Sequence, residues 1–310
     1  MTSDAKKLTV PFEQFEPERL SFTDFEENDR SKGQLISYPR YDHPTLGEGQ
    51  QLMLLTPFSK LFTYGVPRAG GDYYNTDRDR SFLKLPIDPD NAEQMSLVEK
   101  LEQVDAILDS DKRKKELFGK KKSKYIYNKI IRESQTDDDK ERPRYIKLKL
   151  ETKWPTDEIL TQVYRSEMKN VNGKEKRVRT PIEVKTIDDF ADAVRYLSNV
   201  RMIIRPVKMW AQPASRKDPG YGIVFKVVKI EVEPNENSGS SLKDYYNNDA
   251  FLDSDDDDDD AQVVKEVVNN MDDDDDDDDS DSSDSDSDSC LLYTSPSPRD
   301  QRGSRMPSSA

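Results

Sequence analysis

The chain has 310 residues, of which 48 are Lys or Arg and 63 are Asp or Glu, so its formal net charge is −15. No stretch approaches the roughly 20 apolar residues of a membrane-spanning helix, and the charged N-terminal residues lack the apolar segment of a secretory signal. The single cysteine, Cys290, and the single histidine, His43, exclude an intramolecular disulfide and a metal site built from several such residues. We therefore expect a protein of the nucleus or the cytoplasm that is not secreted and has no membrane contact.

The charge is divided unevenly along the chain. Residues 235–289 contain 23 acids and two bases, a net charge of −21, and residues 290–310 carry +2. Residues 1–234 must then carry +4, and a body of that size can bury one hydrophobic core. Long Asp runs cannot bury apolar surface and repel one another, so we expect residues 235–289 to form a disordered acidic tail.

The last residues, 290–310, do not continue the Asp/Ser repeat that precedes them. Their Pro-, Ser- and Arg-rich string resembles a translated sequencing-library adapter, and a native basic tailpiece is the alternative. On the adapter interpretation, Cys290 is not a native residue.

Residues 1–32 are polar with scattered Phe residues, which is typical of a flexible arm that docks through its rings. From Gln34 onward, short apolar runs are separated by Gly and Pro, a pattern that predicts strands bounded by turns. These runs are residues 35–38, 52–55 and 61–64. We take residues 33–234 as the folded domain.

Two helices are expected within this domain. The first starts near Asn91 behind an Asp90 cap, and the basic residues 112–115 would close it at its negatively polarised end. Its apolar stripe consists of Leu97, Leu101, Val104 and Leu108. The second helix covers residues 187–197, with Thr186 as its cap.

The most regular strand signal is residues 144–150, in which apolar and polar residues alternate strictly. Asn172-Gly173, between residues 160–166 and 176–185, is the strongest two-residue hairpin signal. Further strands are predicted at residues 200–210 and 222–233. Seven or eight strands, mostly adjacent in sequence, together with two helices indicate a mainly β fold in which an antiparallel sheet closes into a small barrel.

No catalytic constellation is present in the sequence. His43 precedes a proline with no Ser or Cys signature nearby, which is typical of a loop histidine, and no phosphate-binding glycine motif occurs. The Asp runs lack the defined geometry that a metal site needs. We therefore expect no enzyme activity, no cofactor and no metal.

Basic and aromatic residues carry the functional signal. Residues 111–132 hold ten bases and two acids, and residues 145–149 alternate Tyr and Lys with apolar residues. Strands there would place two sets of side chains on one face each: Tyr125, Tyr127 and Lys129, then Tyr145, Lys147 and Lys149. Unpaired bases of a single-stranded nucleic acid stack on such rings while the cations neutralise phosphates. The alternative is that the lysines face solvent and the tyrosines cover a sheet edge.

Other cations and one tryptophan are expected to join this surface. They are Arg177 and Arg179 on the hairpin, and Arg205, Lys208 and Trp210 on the strand after the second helix. Trp210 is interpreted either as a stacking platform or as a cap over the barrel core. The tail has the opposite sign, so a tethered polyanion would compete with DNA for a cationic groove or recruit basic partners.

These features together resemble the single-stranded DNA-binding proteins of nucleocytoplasmic large DNA viruses, which are related to the short-tailed coliphage type. The resemblance is carried by residues 146–150, the Asn172-Gly173 hairpin, the helix at 187–197, residues 201–204, Trp210, residues 221–226 and 230–232, and the acidic tail. It covers residues 34–234 and the tail.

The resemblance implies an elaborated OB-fold, a five-stranded Greek-key barrel with extra strands and a helix. It implies non-sequence-specific binding of single-stranded DNA in replication, recombination and repair, in the nucleus or a cytoplasmic virus factory. The tail would contact replication proteins and shield the groove when DNA is absent. Homodimer formation stays open.

Two other functions are compatible with the sequence. An acidic-tailed histone chaperone or protein-interaction module would bind basic proteins and no DNA, and the cations of its body would be scattered. A transcription or RNA-binding factor could share the barrel, because stacking does not separate DNA from RNA unless the 2′-hydroxyl is read. Convergence of the cations on one groove with aromatic rings would favour DNA binding.

Overall fold

The computed structural model describes residues 6–29, 31–67, 74, 76–134, 142–171 and 173–235. The expected acidic tail beyond Asn235, the adapter-like end and Asn172 of the hairpin lie outside these residues. None of the helices in the described residues combines the length and the apolar character required to cross a lipid bilayer.

The described residues form eighteen strands and contain three complete α-helices. In chain order the strands are β1 (Thr9–Pro11), β2 (Leu20–Phe22), β3 (Glu26–Glu27), β4 (Leu35–Ser37), β5 (Pro39–His43), β6 (Gly47–Gln50), β7 (Met53–Leu55), β8 (Ser59–Lys60), β9 (Phe82–Pro86), β10 (Ile126–Asn128), β11 (Ile131–Arg132), β12 (Tyr145–Leu150), β13 (Thr152–Lys153), β14 (Glu158–Ile159), β15 (Gln162–Val171), β16 (Lys174–Ile182), β17 (Asn199–Ala211) and β18 (Gly220–Glu233). The helices are α1 (Ala92–Asp109), α2 (Asp111–Phe118) and α3 (Ile187–Ala193). The fold is mainly β, as the sequence predicts.

Thirteen of the strands form one mixed sheet, whose main path runs β1-β7-β17-β18-β12-β11. The long strands β17 and β18 pair antiparallel at its centre, but β18 also has the parallel neighbours β10, β12 and β15. These neighbours are distant from β18 in the chain, so no short turn dictates their direction, and the expectation of a purely antiparallel sheet is wrong. No pairing among the described strands joins β1 to β11, so the sheet is open where the sequence predicts a closed barrel.

The hydrophobic core joins one face of this sheet to α1. Alternation along β12 turns Ile146, Leu148 and Leu150 to the core side, where they are almost fully buried. The predicted apolar stripe of α1 is confirmed, because each of its four residues is at most 2% exposed. Burial of each such side chain contributes about 1.5–3 kcal/mol, which makes this layer the main source of stability.

Helix α1 begins with Asn91 as its N-cap, one residue after the predicted Asp90. It ends before Ser110, whose hydroxyl accepts a hydrogen bond from the N–H of Arg113 (3.2 Å) and so begins α2. The basic residues 112–115, predicted to close the first helix, therefore lie in the second.

The predicted hairpin is confirmed. Strands β15 and β16 pair antiparallel, and their last pair is Val171 with Lys174, which leaves a two-residue loop. Helix α3 also begins where predicted, with reciprocal hydrogen bonds between Thr186 and Asp189. It ends short of the predicted Leu197, which has a left-handed φ of 63°.

The segment expected to be a flexible arm packs on the folded body from β1 onward. Strand β1 pairs with β7, and Val10 and Phe15 are each 1% exposed. The Lys100 ammonium group on α1 donates hydrogen bonds to the carbonyl oxygens of Phe12, Glu13 and Phe15 at 2.7–2.9 Å. These contacts hold the segment against the domain rather than separate from it.

A buried carboxylate joins α1 to the strands beside it. Asp105 accepts hydrogen bonds from the hydroxyl of Tyr127 (2.8 Å) and from the N–H groups of Ile130 (2.9 Å) and Ile131 (3.3 Å). Burial raises the pKa of Asp105 above its ordinary value, and these hydrogen bonds oppose the rise. The contact also orients Tyr127 toward the helix.

Replacing Asp105 with Asn should lower the free energy of unfolding by about 1–3 kcal/mol, because one amide oxygen cannot serve three donors and the new amino group faces N–H groups. Urea denaturation followed by circular dichroism measures the change. Glu99→Gln, at an exposed position of the same helix, is the control and should change stability by less than about 0.5 kcal/mol. Equal losses in the two variants would contradict the role assigned to Asp105.

Candidate nucleic-acid interface

The sheet face opposite the core carries a row of cations. On β12 this face bears Tyr145, Lys147 and Lys149, which alternate with the buried aliphatic residues. Lys147 pairs across the strands with Lys84 of β9, and Lys149 pairs with Lys226 of β18. Residues directly opposite one another on neighbouring strands point to the same face, so these four lysines lie side by side.

The row continues onto β17, where Arg205 pairs with Lys226. Lys208 follows on the same face, opposite Val224 of β18. Together the six cations lie on four strands that are adjacent in the order β9, β12, β18 and β17. We call this set the basic face: Lys84, Lys147, Lys149, Arg205, Lys208 and Lys226.

A bulge in β17 determines which side chains end this row. Even-numbered residues of β17 face the core up to a one-residue register shift at Val207. Strict alternation would have buried Lys208 and Trp210, but Met209 and Ala211 are buried instead. The bulge therefore turns Lys208 and Trp210 outward.

Trp210 lies against the backbone of two glycines of β18. A methyl group added at Gly220 would be 3.5 Å from Cη2 of Trp210, and one added at Gly222 would be 3.7 Å from Cζ2. These are ordinary van der Waals distances, so the indole would accept a methyl group at either position. The tighter contact is with Asn128 of β10, whose carbonyl oxygen would lie 3.0 Å from a methyl group at Gly222. Trp210 is half-buried on the outer face, which excludes the core-cap interpretation, and its role as a stacking platform stays a prediction.

Among the described residues, the carboxylate of Glu151 lies within this row of cations. Glu151, directly after β12, accepts a hydrogen bond from Nε of Arg205 (2.7 Å), and its other oxygen is 3.5 Å from Nζ of Lys226. The N–H of Glu151 donates to Oγ1 of Thr161 (2.9 Å), whose hydroxyl donates to the carbonyl of Val227 (2.8 Å). These contacts fix Glu151 within the basic face.

Aromatic rings on this face lie beneath its lysines. Nζ of Lys84 is 5.0 Å from the ring centroid of Tyr145, and Nζ of Lys147 is 4.4 Å from that of Phe82. Tyr145 also packs on Tyr64, with ring centroids 5.2 Å apart, and is 4% exposed. Tyr145 therefore lies on the predicted face, but its ring is covered. It contacts Lys84 through a cation–π interaction.

Beyond Arg205 toward the start of β17, three arginines surround two glutamates. Glu231 accepts a hydrogen bond from Arg201 (2.8 Å) and lies 3.0 Å from Nε of Arg179, while Arg177 contacts Glu233. Burial of Glu231 opposes its ionisation, but hydrogen bonds from the arginines hold its pKa below the ordinary value. We call these five residues the arginine cluster; it shares the outer face, because alternation along β17 is unbroken between Arg201 and the basic face.

Tyr125 and Tyr127 are not part of this surface, which corrects the prediction. They are 6% and 8% exposed and lie on the core side, because β10 pairs with β18 so that Tyr127 is opposite the buried Tyr221. The hydroxyl of Tyr127 donates a hydrogen bond to Asp105 of α1. The ring of Tyr125 stacks on Phe118 with centroids 3.7 Å apart. Lys129 is exposed on that same side, near Asp105 of α1.

The basic segment 111–132 also lies away from the basic face. Most of its bases are on α2 and on the turn that follows, where Lys114 pairs with Asp109 (2.5 Å) and Lys122 with Asp111 (3.2 Å). Helix α2 packs on the core side of the sheet through Phe118. The cations on the strands therefore converge on one face, and those of segment 111–132 do not join them.

The basic face includes residues that the sequence analysis does not single out. Lys84 is the single polar residue of Phe82–Pro86, and Lys226 likewise interrupts an apolar run. Those patterns could have identified both lysines. Glu151 has no such signal, because its contacts depend on the pairing of strands that are distant in the chain.

Comparison with known proteins links the chain to a large DNA virus. It is 24% identical over 286 residues to the uncharacterized protein R505 of Acanthamoeba polyphaga mimivirus, a similarity that covers 82% of this chain and 67% of the viral protein. No family model matches the chain. This similarity agrees with the expected link to large DNA viruses.

The arginine cluster gives a pH-dependent expectation. Because the pKa of Glu231 is lowered on folding, its ionised form adds stability at neutral pH, and this contribution is lost as the pH falls through the folded-state pKa. Glu231→Gln should lower the free energy of unfolding by about 1–3 kcal/mol near pH 7, and the difference should shrink below about pH 4.3, the ordinary glutamate pKa.

Urea denaturation of the natural protein and of Glu231→Gln, from neutral to acidic pH, measures that difference. Glu175→Gln, at an exposed position of β16, is the matched control and should differ little from the natural protein at every pH. A Glu231→Gln effect that stays constant down to the lowest pH would argue against the ionised contact.

Proposed function

We propose that the basic face binds single-stranded nucleic acid and that the protein is a non-sequence-specific single-stranded DNA-binding protein. The observation that supports this most strongly is the side-by-side placement of six cations on β9, β12, β18 and β17, with Trp210 at one end. Cations in a row across a sheet suit a chain of phosphates, and each phosphate contact releases bound counterions.

Trp210 favours a single strand over a duplex. A ring on a sheet surface can stack with a base only where that base is unpaired, and stacking contributes about 1–3 kcal/mol per base whatever the sequence. Lack of sequence preference follows, because neither phosphate contacts nor stacking read the base edges.

On this proposal the central sheet is an elaborated, partly open OB-fold. Replication, recombination or repair of viral DNA is the process that the resemblance implies, and the similarity to a mimivirus protein supports it. The acidic tail would recruit replication proteins and compete with DNA for the basic face at high effective concentration. The site of action would be the nucleus or a cytoplasmic virus factory.

The double variant Lys147→Gln, Lys149→Gln tests the basic face directly. It should weaken binding of labelled oligo-dT about tenfold or more near 0.1 M salt and reduce the slope of log affinity against log salt by about 1.4, since each phosphate contact with a single strand contributes about 0.7. Glutamine keeps much of the aliphatic stem that packs over Phe82. Fluorescence anisotropy across a salt series measures both quantities.

The matched control is Lys120→Gln, Lys121→Gln, which removes the same charge from exposed positions after α2. Its salt slope should stay close to that of the natural protein. Equal effects of the two double variants would mean that binding follows net charge and not the basic face. Tight binding of core histones without binding of oligo-dT would favour the histone-chaperone function instead.

A further inference from the structure

An exposed tryptophan lies beyond the basic face. Trp154 is 60% exposed, although tryptophan is highly buried on average in folded proteins. The guanidinium carbon of Arg78, which is also exposed, lies 4.8 Å from the centroid of its ring. A flat ring and a cation in contact at the surface are the two groups that bind a base and its phosphate.

A folded hairpin holds this ring. Strand β13 pairs with β14 through Thr152 and Ile159, and the N–H of Asp157 donates to the carbonyl of Lys153 at 2.8 Å. Ile159 is 4% exposed and anchors the hairpin in the core. Trp154 is therefore presented at the tip of an ordered element, and its exposure does not come from a loose loop.

Both members of the pair emerge from the strands that carry the basic face. Phe82 of β9 pairs with Lys149 of β12. Arg78 is four residues before Phe82, and Trp154 is five residues after Lys149. Glu151, which lies within the basic face, is three residues before Trp154. The Cα atoms of these two residues are thus at most about 11 Å apart.

The two tryptophans of the chain lie on opposite sides of the central lysine pair. Strands β12 and β18 run parallel, and Lys149 is beside Lys226. Trp210 is opposite Gly222, which comes before Lys226 on β18, whereas Trp154 comes after Lys149 on β12. The lysine pair therefore lies between the two rings along the direction of these strands, on the route of a nucleic-acid strand that reaches both.

We propose that Trp154 and Arg78 form an additional stacking site for a nucleobase at the end of the basic face remote from Trp210. The base packs on the exposed ring of Trp154, and Arg78 contacts an adjoining phosphate. This inference rests on the function proposed above. It implies that only a strand long enough to pass the lysine pair engages Trp154.

Tryptophan fluorescence tests this directly. The chain contains two tryptophans, so Trp210→Phe leaves Trp154 as the only indole. Oligo-dT of increasing length, from about 4 to about 16 nucleotides, covers the usual range of site sizes, and anisotropy of a label on the DNA reports binding independently. The shortest strands that bind should leave Trp154 emission unchanged, and longer strands should quench it. Binding at every length without quenching would overturn the inference.

Affinities of variants in the otherwise natural chain give a second measure that does not depend on Trp210→Phe. Trp154→Ala should weaken binding of the longest oligo-dT about 5- to 150-fold, the equivalent of one stacked base, and leave the shortest binding strand within about twofold. Trp154→Phe should restore most of the loss, because it keeps an aromatic face.

Leu160→Ala is the matched control, since Leu160 follows the same hairpin, is 52% exposed and has no ring. It should bind all lengths like the natural protein, and a loss equal to that of Trp154→Ala would overturn the inference. Normal binding by Trp154→Ala at all lengths would refute the stacking site alone. Absence of oligo-dT binding by the natural protein would refute the proposed function itself.

Discussion

The antiparallel pairing of β17 with β18 determines where most side chains of the proposed binding surface point. Two one-residue bulges interrupt it, at Val207 in β17 and at Val228 in β18. The first turns Trp210 outward, and the second keeps Ile230 in the core while Glu231 faces outward. Without the bulges, period-two alternation would have buried Lys208 on β17 and Glu231 on β18. Burial of charged groups is energetically costly. The bulges thus separate an apolar face from a charged face on the same two strands.

The core face stabilises strands whose outer face carries like charges side by side. Like charges directly opposite one another, such as Lys84 with Lys147 and Lys149 with Lys226, repel and are destabilising. The apolar residues on the other side of the same strands, packed on α1, contribute more than this cost. Glu151 and the rings beneath the lysines offset part of the repulsion as well. A local arrangement that disfavours folding while the rest of the sheet supports it is typical of a binding surface.

Sequence patterns predicted the individual helices and strands well, and they predicted poorly which distant strands pair with one another. The α1 stripe, the β15–β16 hairpin and the alternation of β12 depend on residues within one turn or one strand of each other. Tyr125 and Tyr127 show the limit: tyrosine suits both a core and a surface, and the intervening Ile126 is 55% exposed, so alternation alone could not say which side is buried. The buried acceptor Asp105, which fixes the answer, is more than one element away in the chain. The bulge at Val207 and the parallel neighbours of β18 have no local signal either.

If the basic face binds phosphates as proposed, the carboxylate of Glu151 would affect how fast they bind and leave. It holds the guanidinium group of Arg205 in one orientation, so rotamer entropy worth about 0.5–1.5 kcal/mol has already been lost when an anionic ligand arrives. A phosphate that replaces the carboxylate exchanges one anion for another, and the arginine is never left without a partner. The same carboxylate would return as the phosphate leaves, which would speed release. Such a surface is suited to short-lived contacts that form and break in turn along a polymer.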